Sequence, residues 1–413
     1  MNISLSPKKI LIMTCVFFTL FAISIVHPVN RTHRDYSSST YGKLPRHIDR
    51  VWNFAIEDAS KPFLEVRDHY LFHGRSPGLF KFIAEMTARL GAKSPIPLQF
   101  ILIILVNLGI IAQFKWLSLL FKNSVFPVVG CLFLLGSHFL TYFGTTIHQH
   151  PYNFAFFNFC MFFIVKYAQT KNIKDYWLCW FCYLFLCQNY YMFWVSTFVM
   201  MVGILWLHGN KIISFKNLGL GLAPVLTIGF LVWNISYAHG GFDKGFPKLA
   251  KIYKARVLGI VEKDAVQKPL TKKDYIKYPL TVSSRVERYF YIPGIVFIFL
   301  GWILLRLKKA NNSKLDYRVF RFLIPAGLSW YLLVYEHTVV HQVAGRYSYF
   351  LWMVFFGYFF FEIHTYILNS KKRYMPYFLK LCWPFVLIYG GYGFLYLNVG
   401  GLIKNLMRLF KIL

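Results

Sequence analysis

Two short stretches near the start of the chain carry the residue types that chemistry needs. His47-Ile48-Asp49-Arg50-Val51-Trp52 sets a carboxylate among cations, and Tyr70-Leu71-Phe72-His73-Gly74-Arg75-Ser76-Pro77-Gly78-Leu79-Phe80-Lys81 gathers a histidine, an arginine and a lysine in a segment broken by Gly and Pro. A positioned carboxylate can take the proton of an attacking hydroxyl. The same carboxylate, flanked by Arg46 and Arg50, can equally be half of an exposed ion pair. Asp68, in Arg67-Asp68-His69, is the runner-up for the base.

Two further sets lie later in the chain. His148-x-His150, and His337-xxx-His341 with Glu336 beside it, have spacings that a metal can use. Tetrahedral zinc needs three or four such groups to converge, and spacing alone does not supply convergence. Histidines bonded to substrate or to neighbouring loops are therefore the preferred reading, and no metal or other cofactor is expected. Arg346-Tyr347 opens a late apolar run. Its guanidinium offers a planar fork suited to phosphate oxygens, although a cation at a helix start is also ordinary.

The elements that must position these residues follow from composition. With 57% hydrophobic and 20% aromatic residues, the chain is too apolar for a soluble globule. In hydrocarbon the backbone must satisfy itself, so long apolar runs are helices and the expected fold class is all-α, a polytopic membrane protein. Lys8-Lys9 precede the run Ile10 to Val26, which lacks a small-x-small cleavage site and reads as a retained first helix. Further spans are expected at Pro97–Phe114, Val125–Phe143, Tyr152–Tyr167, Tyr176–Gln188, Tyr190–Leu207, Leu218–Tyr237, Tyr291–Leu305, Phe322–Tyr335, Ser348–Leu368 and Phe378–Val399. The total is about eleven. Gln188-Asn189 is the polar break that turns Tyr176–Leu207 into a hairpin.

The formal charge of +30 is spread through short links rather than held in a separate arm, which argues against nucleic acid. Lys115 and Lys122, then Lys166, Lys171 and Lys174, then Lys211 and Lys216, then the cations from Arg306 to Arg321, fall in links assigned to the cytoplasm. Two long loops are assigned to the other side. Residues 28–99 form the first, and 238–289, rich in Lys and Arg, the second. Within the first, Val51–Glu57 and Pro77–Leu90 have helical spacing. In the latter Leu79, Phe82, Ile83, Met86 and Leu90 share a face opposite Lys81, Glu85 and Arg89, the pattern of a helix lying on a membrane surface. The cysteines sit in apolar runs, so no disulfide framework is implied. Cys179-Trp180-Phe181-Cys182 lacks the βαβ setting of a redox motif.

An acidic residue soon after the first helix, a surface helix announced by His and Pro-x-Leu, and Arg-Tyr starting a late helix resemble the GT-C glycosyltransferases, in particular the protein O-mannosyltransferase and aminoarabinose transferase type. Asp49-Arg50 stands where that family has Asp-Glu, and His73-Gly74-Arg75-Ser76-Pro77-Gly78-Leu79 stands where it has a double proline. The resemblance covers roughly the first half of the chain and, more faintly, the Arg346 region. It implies a single GT-C-like domain over residues 1–413, in a cell inner membrane with the active site facing the periplasm. The implied donor is a polyprenyl-phosphate-linked sugar, and the acceptor a cell-envelope glycan, lipid or protein. Asp49 would be the base of an inverting transfer, with Asp68 as its alternative, and His73, Arg75, His148, His150, His341 and Arg346 would hold substrate. A transporter or flippase of a lipid-linked glycan, or a polymer ligase using the His337–His341 turn, are the rival readings.

Overall fold

The computed structural model describes residues 6–24, 44–72, 76–136, 149–189, 193–211, 213–257, 318–333 and 349–369. The regular elements among these residues are helices apart from one small ladder, in keeping with an all-α class. The helices are α1 (Pro7–Ser24), α2 (Leu44–Ala59), α3 (Leu79–Arg89), α4 (Ile96–Phe121), α5 (Val125–Gly136), α6 (Gln149–Thr170), α7 (Ile173–Asn189), α8 (Trp194–Leu207), α9 (Phe215–His239), α10 (Phe242–Val257), α11 (Val319–Leu333) and α12 (Tyr349–Asn369). Between α2 and α3 lie a 3-10 turn at Phe63–Glu65 and an antiparallel pair, β1 (Leu71–Phe72) and β2 (Ser76–Pro77).

Local sequence sets the boundaries. Pro95 and Pro97 flank Ile96 at the start of α4, where the missing N–H costs nothing. Asn123 Oδ1 accepts from the Val125 and Phe126 amides and caps α5, and Ser214 Oγ accepts from the Asn217 amide and caps α9. The α3 helix closes on Gly91, at φ 93, with the Ala92 amide donating to the Thr87 carbonyl. The hairpin expected at Gln188-Asn189 turns there, α7 ending at Asn189 and α8 starting at Trp194.

Two helical segments, Ile96–Phe121 and Lys216–His239, are long and apolar enough to cross a membrane. Shorter apolar helices stand beside them at Val125–Leu135, Trp194–Leu207, Val319–Ser329 and Tyr349–Tyr358. Several helices turn apolar side chains outward: Ile12, Met13 and Val16 on α1, Ile101 and Ile104 on α4, Trp177 and Phe181 on α7, Leu222 and Val225 on α9.

The shared core is aromatic and binds most of these helices to one another. Gly109 lets α4 approach α6 so closely that a Cβ there would lie 2.9 Å from Ala155 Cα. Trp116 Nε1 donates to Asn158 Oδ1 at 2.9 Å, and Asn158 Nδ2 donates to the Tyr349 hydroxyl at 2.9 Å. That buried pair of bonds locks α4, α6 and α12 at a point where an unmet amide would be expensive. Contacts between α4 and α6 advance together, from Gly109 against Ala155 to the Gln169 side chain on the Leu119 carbonyl, so the two helices run parallel.

The bundle therefore has two distinct ends. At one, α2, α3 and the β1–β2 hairpin form a cap. Val51, Trp52, Ala55, Phe80 and Ala84 of the cap pack with Leu98 and Leu102 of α4 and Tyr152 of α6. Leu71 of β1 packs with Leu231 and Ile235 of α9, and the Tyr70 ring meets Phe230 edge-on. The other end is basic: the α4 terminus, the α6–α7 turn and the starts of α9 and α11 bring together Lys115, Lys122, Lys166, Lys171, Lys174, Lys211, Lys216, Arg318 and Arg321.

Three expectations change. The helix expected over Val51–Glu57 begins earlier, at Leu44, so Asp49 lies in the first half of α2. The second long loop opens with a helix, α10, that folds back on α9. The face of α3 is also reversed: Lys81 is 5% exposed and Glu85 0%, whereas Leu90 is 89% exposed. Its polar row turns inward because Asp58 of α2 and Asp68 and His69 of the loop before β1 supply partners for Lys81 and Glu85, and Arg89 closes on Glu85 within α3.

Candidate functional site

The cap is held by two charged groupings built on α3. Lys81 Nζ lies 2.9 Å from Asp58 Oδ2 and 3.4 Å from Asp68 Oδ2, and it also donates to the Asp68 carbonyl at 3.2 Å. One ammonium thus joins α3 to the last turn of α2 and to the loop before β1. Lysine's three donors suit this shared role.

One and two turns further along α3, Glu85 lies between His69 and Arg89. His69 Nε2–H donates to the Phe63 carbonyl at 2.7 Å, because a carbonyl can only accept, and Nδ1 lies 2.6 Å from Glu85 Oε2. Arg89 Nε donates to Glu85 Oε1 at 2.8 Å. Its other nitrogens donate to the Asp58 carbonyl at 2.7 Å and the Lys61 carbonyl at 2.9 Å. The guanidinium thereby satisfies a carbonyl in the last turn of α2, where a cation also suits the helix dipole. Phe63 stacks on the His69 ring at 4.2 Å and lies under the Arg89 guanidinium at 5.3 Å, which closes this grouping from solvent on one side.

Electrostatics at the rim follow from these neighbours. The Tyr70 hydroxyl is pushed above its ordinary value chiefly by burial and secondarily by the Glu85 charge. Lys61, at the surface, is raised chiefly by its hydrogen bond to Glu57 at 3.1 Å.

Where the cap meets the bundle, polar atoms are buried without a partner among the described residues. They are Trp52 Nε1 on α2, Gln99 Oε1 on α4, and Gln149 Oε1, the Tyr152 hydroxyl and both Asn153 side-chain polar atoms at the start of α6. Each would normally be bonded, and leaving one unmet costs about 1–3 kcal/mol. These groups are uncharged, and the cap-end halves of α2, α4 and α6 supply them.

The residues singled out from sequence fall unevenly on this arrangement. Asp49 lies on α2, the helix that Lys81 and Arg89 fix, but its side chain is outside the described residues. Asp68 is at the cap, half-exposed, with its Oδ2 3.4 Å from Lys81 Nζ. His150 is in the first turn of α6, partly buried at the cap end. His73, Arg75, His148, His341 and Arg346 lie outside the described residues, as do Glu336 and His337. Among the described residues no group of three or more His, Cys, Asp or Glu side chains is placed to hold a metal, and Cys179 and Cys182 are separate free thiols.

Sequence reading put Lys81, Glu85 and Arg89 on the polar face of a surface helix and gave no role to Asp58 or His69. The signal was present in the i, i+4, i+8 spacing of Lys81, Glu85 and Arg89 together with the opposite charges of Asp58 and Asp68. Charge complementarity between two neighbouring amphipathic helices favours a buried seam over two solvated faces. Compared with known proteins, the chain matches no family model and no curated relative.

Proposed function

We propose that the chain is an integral membrane transferase of GT-C type. It moves a sugar from a polyprenyl-phosphate carrier to a cell-envelope acceptor at the cap end of the bundle. Several observations support the membrane placement. Apolar side chains face outward on α1, α4, α7 and α9, far more than a water-facing surface tolerates. The basic links gather at the end opposite the cap, as they would if about eleven spans obeyed the positive-inside preference and the cap faced the periplasm.

The observation that carries the sugar reading is the set of unpartnered, uncharged polar atoms beneath the cap: Trp52 Nε1, Gln99 Oε1, Gln149 Oε1, the Tyr152 hydroxyl and the Asn153 amide. Amides, a hydroxyl and an indole N–H are the groups that bind a polyhydroxylated, uncharged ligand, and the helix directly above them carries Asp49. A lipid-phosphate leaving group needs no general acid. One carboxylate that takes the acceptor proton and cations that hold the phosphate suffice, and a single displacement inverts the anomeric carbon.

The test is transfer of labelled sugar from a polyprenyl-phosphate donor by the purified full chain. Asp49→Asn is nearly isosteric and should slow transfer by ~10²- to 10⁴-fold with the fold intact, while Asp68→Asn does much less. A wild-type protein that moves the carrier-linked sugar across vesicles without consuming the carrier would instead be a flippase.

A further inference from the structure

We infer that the basic end of the bundle holds an anionic phospholipid, its phosphate at Lys216, Lys211 and Lys174 and its acyl chains along the outward apolar sides of α7 and α9. The inference rests on the membrane placement of the bundle and not on sugar transfer, so the two stand or fall separately.

The corner where α6 ends and α7 and α9 begin is pinned by polar bonds. Lys216 Nζ donates to the Tyr167 hydroxyl and lies 5.2 Å from that ring's centroid, and the Tyr176 hydroxyl donates to the Lys216 carbonyl at 2.7 Å. Asn217 Nδ2 donates to the Lys211 carbonyl at 2.7 Å, which brings the preceding turn to the same corner. The acid at this corner is already engaged, since Asp175 is buried against Lys166 Nζ at 2.9 Å. Lys174 and Lys211 are exposed and make no ion pair among the described residues. An anion arriving from outside the protein would therefore meet uncompensated cations beside a hydroxyl.

The surface next to these cations suits a lipid rather than a free anion. Trp177 is exposed on the α7 turn after Lys174, a residue type and depth typical of a headgroup boundary, and Phe181 continues that face inward. Leu218 and Leu222 are outward on α9, directly beyond Lys216.

The experiment uses the full chain in a neutral detergent, with thermal unfolding followed as phosphatidylglycerol, phosphatidylcholine or inorganic phosphate is added. Phosphatidylglycerol should raise the unfolding temperature at mole fractions where phosphatidylcholine does not, and inorganic phosphate should have no effect at matched ionic strength. Lys174→Gln and Lys211→Gln should each weaken the apparent phosphatidylglycerol affinity about fivefold, and Lys93→Gln, exposed at the cap end, should leave it unchanged. Equal responses to the two lipids, a phosphate effect as large as the lipid effect, or full retention of the preference in both single variants would overturn the assignment.

Discussion

The two ends of the bundle handle charge in opposite ways. At the cap, Lys81 and Glu85 are buried and matched within hydrogen-bonding distance by Asp58, Asp68, His69 and Arg89. At the basic end, Lys122, Lys171, Lys174 and Lys211 are exposed, and Asp175 is already taken by Lys166. Buried matched charge adds little net stability, because desolvation offsets most of the attraction, but it fixes geometry, since any other arrangement leaves a charge bare. Exposed unmatched charge fixes no geometry and instead produces a field that acts on membranes and counter-ions. One end of this molecule is thus arranged to position a helix, and the other to attract an anionic surface.

The largest expected effect that separates the ends comes from Glu85. Replacing it with alanine leaves His69 and Arg89 facing each other in a nearly closed site, and loss of a buried partner of this kind costs about 3–5 kcal/mol. Lys171→Ala, at the basic end, should change stability by no more than about 0.5 kcal/mol. Denaturant titration of both variants measures the contrast. Similar losses at both ends would mean that the cap network is a solvated face after all.

A medium effect sharpens the comparison within the cap. Lys81 touches two carboxylates, but Asp58 presents a side chain 13% exposed at 2.9 Å and Asp68 one 47% exposed at 3.4 Å. The nearer, buried partner should dominate. Asp58→Asn is expected to destabilise the cap by about 1–3 kcal/mol, and Asp68→Asn by less than about 1 kcal/mol because solvent screens an exposed pair. The measurement is the unfolding midpoint together with proteolytic nicking of the 60–70 segment. A larger loss for Asp68→Asn would show that it carries a role beyond pairing with Lys81.

Much of the scaffold was legible in sequence and the cap chemistry was not, for a physical reason. Apolar runs such as Ile96–Phe121 declare themselves because period and length leave no alternative, and Gln188-Asn189 declares a turn because amides break an apolar run. The α3 helix misled because it carries apolar residues on two sides. Phe80 and Ala84 are the buried pair, while Leu79, Phe82, Ile83 and Met86 are only half-covered. Periodicity locates a polar row but not its partner. The partners of this row are Asp58 on α2 and Asp68 and His69 in the loop before β1, and they become informative only once α2 and that loop are known to face α3. The unmet polar atoms under the cap were equally hidden, because Gln99, Gln149 and Asn153 look like ordinary helix-end residues until burial is known.

The smallest expected effect concerns proton release at the cap rim. Burial, with the Glu85 charge, holds the Tyr70 proton above the ordinary value of 10.0. Between that value and the folded one, the folded chain keeps a proton that the unfolded chain gives up, so stability falls as pH rises. Lys61 acts in the same direction. Its bond to Glu57 stabilises the cap below the ordinary lysine value of 10.5 and is lost as pH rises through the folded value, although water screens so exposed a pair. Both changes lie above about pH 10. The sensitive comparison is wild type against Tyr70→Phe, since every other tyrosine and lysine is common to both. The difference in unfolding temperature should be constant from pH 7 to 9 and should then move in favour of Tyr70→Phe above about pH 10. A difference that stays constant to pH 11 would mean that Tyr70 is as solvated in the folded cap as in the unfolded chain, and that the stack of its ring on Phe82, at 4.3 Å, does not shield the hydroxyl.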